Sequence, residues 1–224
     1  SLKIKGIVFI AFSAVSRIHA VQLFLQFGIS LVPHAFKAVG KRVPVKIVRT
    51  KNGGFAARHP PVGQYYRPVG DTDSERAFCH ILEQLRRRFD ERPDDGTLFA
   101  AVSELVKDIR RSGLFNFILS DGRVMFAHAS SLLYYIIRQA PFGEARLLDD
   151  DVSVDFSAVT TPDDRVAVIA TLPLTENERW TQLACDELLM FHDGAVAGCD
   201  RPDTPRYLST EEGLAIARAV GASL

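Results

Sequence analysis

The sequence lacks several features that mark common classes of protein. Among its 224 residues there are only three cysteines, and lysine plus arginine equals aspartate plus glutamate at 27 each, so the formal net charge is zero. A neutral chain has no overall electrostatic attraction to nucleic acid or to an anionic membrane, and we expect neither as a partner. The odd, low cysteine count contains no CxxC pair, which disfavours zinc ribbons and secreted disulfide scaffolds and favours a cytoplasmic protein.

Long apolar runs are also missing. Polar side chains such as Arg17 interrupt the apolar stretches at residues 7–12 and 21–32, so none reaches the roughly 20 residues that a membrane helix needs. A signal peptide over residues 1–33 and a membrane tether over residues 7–32 are the alternatives that this segment leaves open. The histidines have no metal-ligand spacing, and we expect no metal and no cofactor.

From residue 67 onward, the hydrophobic pattern predicts helices and strands. Helices are expected at about 77–89 and 97–112, where apolar residues recur every three to four positions, with Glu83 largely on the opposite face of the first. Short apolar runs between turn signals predict strands, and helices stacked on hairpin-rich sheets indicate an α+β layered architecture. The expected strands are Leu114–Leu119, Val124–Ala129, Leu133–Ile137, Val152–Phe156, Val166–Leu172, Leu188–His192 and Ala195–Ala197.

Turn and capping signals locate the ends of these elements. The pair Asp121-Gly122 predicts a type I′ turn, and Asp193-Gly194 predicts a last hairpin. A capping box at Thr72–Glu75 precedes the first helix. Ser209 and Glu212 form a second capping box, before a C-terminal helix expected from about Thr210 to Val220.

Several motifs follow one another in the order found in one enzyme family. The motifs are Arg67–Cys79, Gly113–Gly122, Arg138–Gly143, Asp155–Ser157, Thr161–Asp164, Ile169–Thr171 and Pro173–Thr175. Together they resemble class II (Ntn-type) glutamine amidotransferases. The likeness is greatest to small stand-alone bacterial members related to γ-glutamyl hydrolysis in ergothioneine synthesis and glutathione turnover. The resemblance implies an α+β fold of the Ntn-hydrolase type, a four-layer αββα sandwich.

The resemblance also implies a reaction and three site residues. Family members hydrolyse the amide of glutamine, or a γ-glutamyl amide, with an N-terminal cysteine whose own α-amine serves as general base. Asn52 and Gly53 match the pair that forms the oxyanion hole through a side-chain amide and a backbone N–H. Asp73 matches the acid that binds the α-amino group of glutamine. The alternatives are a plain turn at Asn52-Gly53 and a dipole-stabilising acid at Asp73.

The likeness stops abruptly before Asn52. No Met-Cys start is present, and Lys51 stands where the family has histidine. We divide the chain into an aberrant segment, residues 1–51, and a class II amidotransferase part, residues 52–224. A shifted reading frame or a damaged gene is our hypothesis for the first segment; an unrelated exon or fusion is the competing account, and the coding DNA distinguishes them. Ser1 is an open alternative as nucleophile.

These observations leave the enzymatic status of the chain open. We expect a class II glutamine amidotransferase that acts on a small molecule and is inactive as given, because the N-terminal cysteine is missing. The alternative is a non-catalytic amino-acid-binding or regulatory module on the same scaffold. Loss of the family's first strands would expose apolar sheet faces, so association into a homo-oligomer is a further expectation.

Overall fold

The computed structural model describes residues 9–12, 46–48, 65–68, 73–140, 144–146, 153–155 and 165–219. Three helices lie in these ranges: α1 (Asp73–Arg88), α2 (Asp95–Arg110) and α3 (Thr210–Ala219). The strands are β1 (Phe9–Phe12), β2 (Lys46–Val48), β3 (Leu114–Ser120), β4 (Val124–Ala129), β5 (Tyr134–Gln139), β6 (Glu144–Arg146), β7 (Ser153–Asp155), β8 (Arg165–Ala170), β9 (Thr181–Gln182), β10 (Glu187–His192) and β11 (Ala195–Asp200).

Two antiparallel sheets form the centre of the molecule. The first has the order β11-β10-β4-β3-β2 and the second the order β1-β8-β5-β9, while β6 pairs with β7 alone. Helices α1 and α2 pack on the five-stranded sheet, whose other face packs on the four-stranded sheet. The predicted α+β, Ntn-hydrolase-like architecture is confirmed, and this helix pair and the two sheets build three of its four layers.

Two apolar cores hold these layers together, because residues along a strand alternate between its two faces. The strand β4 is buried along its whole length, as expected for a strand covered on both sides. The core between helices and sheet includes Ala77, Ile81, Leu98, Val102, Leu105, Val106, Ile109, Phe115, Phe117, Leu119, Val124, Phe126, Leu188 and Met190. The core between the sheets includes Ile118, Met125, Ala127, Ala129, Leu133, Ala167, Ile169, Leu183, Leu189 and Phe191.

Helix α3 begins with the predicted capping box. The Ser209 backbone N–H donates to Glu212 Oε2 at 2.7 Å, and the Glu212 N–H donates to Ser209 Oγ at 3.1 Å. The two bonds satisfy donors that the first turn of a helix leaves free. On the same helix, Gly213 lies against Leu132 so closely that a Cβ at this position would sit 2.2 Å from Leu132 Cγ.

In the first helix, the burial of one side chain was not predicted, and the predicted capping box is untested. Glu83, expected on the opposite face from the core, is 3% exposed. It is buried because the incoming chain covers it: the backbone N–H groups of Tyr65 and Tyr66 donate to Glu83 Oε2 at 2.9 and 3.1 Å. The capping box at Thr72–Glu75 falls outside the residues whose side chains the structure describes.

The N-terminal 51 residues contribute two strands that the sequence pattern did not predict. Phe9–Phe12 pairs with β8, with Phe9 opposite Ile169, and Lys46–Val48 pairs with β3, with Val48 opposite Leu114. Each lies at one edge of its sheet. None of the helices within the described ranges has the length and apolarity needed to cross a membrane.

The two Asp-Gly turns have different geometries. Asp193 and Gly194 have φ values of 48° and 71°, which fits the predicted hairpin with a type I′ turn. The type I′ prediction for Asp121-Gly122 is wrong. A type I′ turn needs a positive φ at both central residues, and among the described residues other than glycine, positive φ occurs at Asp186 and Asp193 but not at Asp121. There the Asp121 carboxylate accepts from the backbone N–H groups of Arg123 and Val124, at 2.9 Å each, and builds the turn itself.

The two glycines therefore differ in their tolerance of a side chain. A Cβ at Gly194 would lie 2.4 Å from the Arg165 carbonyl oxygen, whereas a Cβ at Gly122, where φ is 88°, meets nothing within 4 Å. We expect Gly122→Ala to cost about 1 kcal/mol for the left-handed backbone alone, and Gly194→Ala to cost roughly 2–4 kcal/mol because of the added clash. Urea unfolding of both variants measures the difference; equal losses would contradict the clash.

A buried histidine makes stability depend on pH. His128 on β4 is 1% exposed, and its ring stacks on Phe117 with centroids 5.7 Å apart. Its Nδ1 lies 2.5 Å from the Phe115 carbonyl oxygen, so the neutral ring donates from this nitrogen. Burial lowers the pKa of His128 to about 4, because the charged imidazolium would lose its hydration.

This shift predicts a loss of stability in mild acid. As the pH falls below about 6.5, the unfolded chain binds a proton at residue 128 while the folded protein does not. The free energy of unfolding should therefore fall by about 2 kcal/mol between pH 7 and pH 5 through this group alone. In His128→Asn, which keeps an N–H donor, the contribution disappears, and urea unfolding at three pH values measures it. Parallel losses in both proteins would show that His128 is not responsible.

Candidate functional site

One end of the sandwich gathers the element ends that lead to the predicted site residues. The chain crosses from the first sheet to the second through Ser130–Leu133, between the end of β4 and the start of β5. The strand β8 ends at the same place, because Ala170 pairs with Tyr134 at the start of β5. The strand β10 begins there as well, since Glu187 pairs with Ala129. We name this region, around residues 130–133, the crossover end.

The side chain of Asn116 fixes the crossover. Its Oδ1 accepts from the backbone N–H groups of Ser130 and Ser131, at 2.7 and 3.0 Å, and from Ser130 Oγ at 3.1 Å. Its Nδ2 donates to Ser131 Oγ at 2.9 Å and to the Leu132 carbonyl oxygen at 3.2 Å. Asn116 lies inside the Gly113–Gly122 motif, but no local pattern around it indicates this role.

We expect the start of α1, where Asp73 stands, at the crossover end as well. Near the start of α2, Arg92 Nε donates to Asp121 at 2.7 Å, at the opposite end of β3. At the end of α2, Arg110 is hydrogen-bonded to Asp186 and to the Gly113 carbonyl oxygen. Helices joined by a short connection are typically antiparallel neighbours, and in that arrangement α1 begins near the end of α2.

The predicted oxyanion residues are outside the described residues. Asn52 and Gly53 follow the end of β2 by four and five positions, and Val48 at that end pairs with Leu114 at the start of β3. Asp73 is the first residue of α1, and its side chain is not among those described. The shared pocket of these three residues therefore stays a prediction. The end of β2 that leads to Asn52 and Gly53 does lie at the crossover end.

The start of β1 points to the same end. Phe9 pairs with Ile169, next to the last residue of β8, and Phe12 pairs with Val166. The start of β1 therefore lies beside the crossover end.

None of the three cysteines has the environment of a nucleophile of this kind. Cys79 lies within α1, Cys185 in the turn before β10 and Cys199 in β11, so none carries a free α-amine. Burial raises the pKa of both the Cys185 and the Cys199 thiols, which therefore stay protonated at neutral pH. Beside Cys199, the buried Glu187 accepts from Arg201 Nε and Nη2 at 2.9 and 2.7 Å.

A polar cluster fixes the segment between β8 and β9 close to the start of β9. Trp180 donates from Nε1 to Thr175 Oγ1 at 2.9 Å. Thr175 donates in turn to Glu178, which also accepts from Arg138 Nε at 2.6 Å. Burial opposes the charge of this carboxylate, but the hydrogen bonds from Arg138 and Thr175 keep the pKa of Glu178 below its usual value. Over the described ranges, no group of three or more His, Cys, Asp or Glu side chains could hold a metal ion.

Comparison with known proteins adds an independent line of evidence. Two bacterial proteins with the curated description "Putative glutamine amidotransferase" are similar to this chain. YafJ of Escherichia coli is 48% identical over 127 residues, which are 56% of this chain and 50% of that protein. A Haemophilus influenzae protein is 40% identical over 143 residues, which are 64% of this chain and 49% of that protein. The chain thus spans about half the length of these curated relatives.

A solved structure and a family model agree with these relatives. The 2.0 Å crystal structure of a predicted glutamine amidotransferase from Pseudomonas aeruginosa is 48% identical, with a TM-score of 0.56 over 62% of this chain and 55% of that chain. The family model described as "Glutamine amidotransferases class-II" matches residues 42–214, more than three quarters of the sequence. This chain belongs to the class II glutamine amidotransferases.

Proposed function

We propose that the chain binds glutamine or a γ-glutamyl compound at the crossover end. In this proposal the Asp73 carboxylate holds the α-ammonium of the ligand by a charge-assisted hydrogen bond. The Asn52 side-chain amide and the Gly53 N–H face the oxygen of the γ-carbonyl group. The supporting observation is that the end of β2 and the start of β1 lie at one end of the sandwich, where the start of α1 is also expected.

The chemistry that such a site serves is amide hydrolysis through a covalent intermediate. A thiolate adds to the γ-carbonyl carbon, and two N–H donors stabilise the negative oxygen of the tetrahedral intermediate. The C–N bond then breaks, ammonia or an amine leaves with a proton from the α-ammonium base, and water releases glutamate from the thioester. Within this scheme, Asn52 and Gly53 are the catalytic residues and Asp73 is a substrate-binding residue.

We propose further that the 224 residues bind the ligand without hydrolysing it. The support is that all three cysteines lie within the chain, two of them with raised thiol pKa values, so none matches the nucleophile with its own α-amine. If no other molecule supplies a nucleophile, the proposed function is a non-catalytic amino-acid-binding or regulatory role on the same scaffold. A cytoplasmic location and assembly of several copies stay predictions.

The role of Asp73 is tested by a pair of charge-removing variants. Loss of a hydrogen bond to a charged group costs roughly 1.5–3 kcal/mol, so Asp73→Asn should weaken glutamine binding about tenfold or more. The matched control is Asp71→Asn, which removes the same charge two residues earlier and should change the Kd by less than about twofold. Isothermal titration calorimetry measures both. Equal effects of the two substitutions would reduce Asp73 to a general electrostatic role, and no binding by the wild-type chain would remove the proposal.

The absence of hydrolysis is tested separately. Purified chain incubated with glutamine should release no glutamate above a heat-denatured sample, measured by a coupled glutamate dehydrogenase assay. The reason is the lack of a thiolate with an adjacent general base. Measurable release would contradict inactivity, and its loss in Ser1→Ala would identify the serine as the nucleophile, whereas its persistence would direct the search to other residues.

A further inference from the structure

Two of the family motifs contain no residue of the proposed site, yet the structure joins them. The motif Arg138–Gly143 begins in β5, and the motif Pro173–Thr175 lies in the connection between β8 and β9. Arg138 forms an ion pair with Glu178 through Nε, at 2.6 Å, and through Nη2. The Thr175 hydroxyl donates to the same carboxylate at 2.6 Å. These contacts give both motifs a common task that the proposed ligand contacts do not explain.

The connection over residues 171–180 crosses the outer face of the four-stranded sheet. Strand β5 lies between β8 and β9 and is antiparallel to both, so β8 and β9 run in the same direction and the chain between them must cross β5. The inner face of β5 carries Tyr135, which packs on the core between the sheets. Because side chains alternate along a strand, Arg138 points to the other face, where Glu178 meets it. Ile136 on that face is 9% exposed, as expected for a covered position.

The first residues of this connection lie beside the proposed site. Ala170, the last residue of β8, pairs with Tyr134 at the crossover end, and Ile169 pairs with Phe9 at the start of β1. Residues 171–174 therefore leave the sheet next to both of these strand ends. They are partly buried, unlike the residues of a freely solvated loop. Their place makes them a candidate wall of the ligand site.

A cluster that we name the latch, Arg138, Thr175, Glu178 and Trp180, fastens the connection to the sheet. The Arg138 and Glu178 side chains are 17% and 16% exposed, so their ion pair is screened less than a surface pair would be. Two parallel N–H···O bonds also fix the orientation of the two groups. Trp180 Nε1 donates to Thr175 Oγ1 at 2.9 Å, which ties the end of the connection to its middle.

We propose that the latch holds residues 171–174 in place as a wall of the ligand site at the crossover end. Its members are then positioning residues for ligand binding. Arg138 stands four positions after Tyr134, which is roughly 13 Å along the strand, so the latch acts on the ligand through the connection and not by contact. This inference rests on the proposed function and adds to it an element that lies on the outer face of the second sheet.

The chain offers a matched pair of variants. Arg88 and Glu104 join α1 to α2 with the same two-bond geometry, at 2.6 and 3.2 Å, in the helical layer on the far side of the first sheet. Glu178→Gln and Glu104→Gln each remove one carboxylate charge from an arginine and keep the size of the side chain. In calorimetry of the full chain with glutamine, Glu178→Gln should raise the Kd about fivefold or more, because the wall is no longer held, and Glu104→Gln should change it by less than about twofold.

A second readout separates positioning from a loss of folding. Trp180 is the single tryptophan of the chain, so its fluorescence reports on the latch alone. Coupling free energies are reciprocal, so a ligand whose binding depends on the latch must also stabilise the latch. Saturating glutamine should therefore lower the acrylamide quenching constant of Trp180 in the wild type by roughly twofold, with a midpoint at the calorimetric Kd. A purely structural cluster would lose stability in Glu178→Gln, but its quenching would not respond to glutamine.

The outcomes separate this inference from the function on which it rests. If the wild type does not bind glutamine, the proposed function fails and this inference fails with it. If Asp73→Asn weakens binding as expected, only this inference fails when Glu178→Gln binds as tightly as the wild type, when Glu104→Gln weakens binding equally, or when glutamine leaves the quenching of Trp180 unchanged.

If Glu178→Gln does not fold, two variants of Thr175 decide. Thr175→Val removes the hydroxyl that joins Trp180 to Glu178, and Thr175→Ser keeps it. Thr175→Val should weaken glutamine binding severalfold, and Thr175→Ser should bind as the wild type does. Equal binding by the two variants would overturn the assignment.

Discussion

The carboxamide of Asn116 holds the chain where it passes from one sheet to the other, and the geometry of the crossover end depends on it. Five hydrogen bonds use both ends of this side chain, and three of them go to backbone groups of Ser130, Ser131 and Leu132. Because the crossover is short, these hydrogen bonds determine how the end of β4 is positioned relative to the start of β5. The position of β5 fixes β8, and β8 fixes β1 through their antiparallel pairing.

Helix α2 is fixed relative to the first sheet at both of its ends. It is tied at one end by Arg92 to Asp121 in the first hairpin, and at the other by Arg110 to Asp186 before β10. Exposed ion pairs of this kind contribute little stability one by one. Their value here is directional, because they align the helix with the strands beneath it. Helix α1 packs beside α2 on the same face of this sheet.

The sequence predicted those parts of the fold that depend on local patterns. Apolar spacing located α1 and α2 to within a few residues, and Ser209 with Glu212 identified the start of α3. Long-range contacts were beyond it: the burial of Glu83 was not predicted, because periodicity cannot show that residues 65–66 cover the helix. The strands β1 and β2 were missed for the same reason, since four and three residues carry almost no periodic signal.

For the candidate site, the resemblance named Asn52, Gly53 and Asp73, but the local pattern could not show what positions the chain around them. The partners of Asn116 lie 14 to 16 positions further along the chain, and no periodic pattern reveals such contacts. Motifs therefore predicted the site residues, while the structure was needed to identify the hydrogen bonds that fix the crossover.

The contact between Gly213 and Leu132 carries a consequence for how this family can vary. The helix α3 approaches the crossover at a residue with no side chain, and the leucine fills the space that a Cβ would need. A larger residue therefore fits at one of these two positions only if the residue at the other position is smaller. Among relatives with this helix, bulk at the two sites should change in opposite senses, as a correlated pair. Sequence change in the C-terminal helix is then coupled to sequence change at the crossover end, although the two are far apart in the chain.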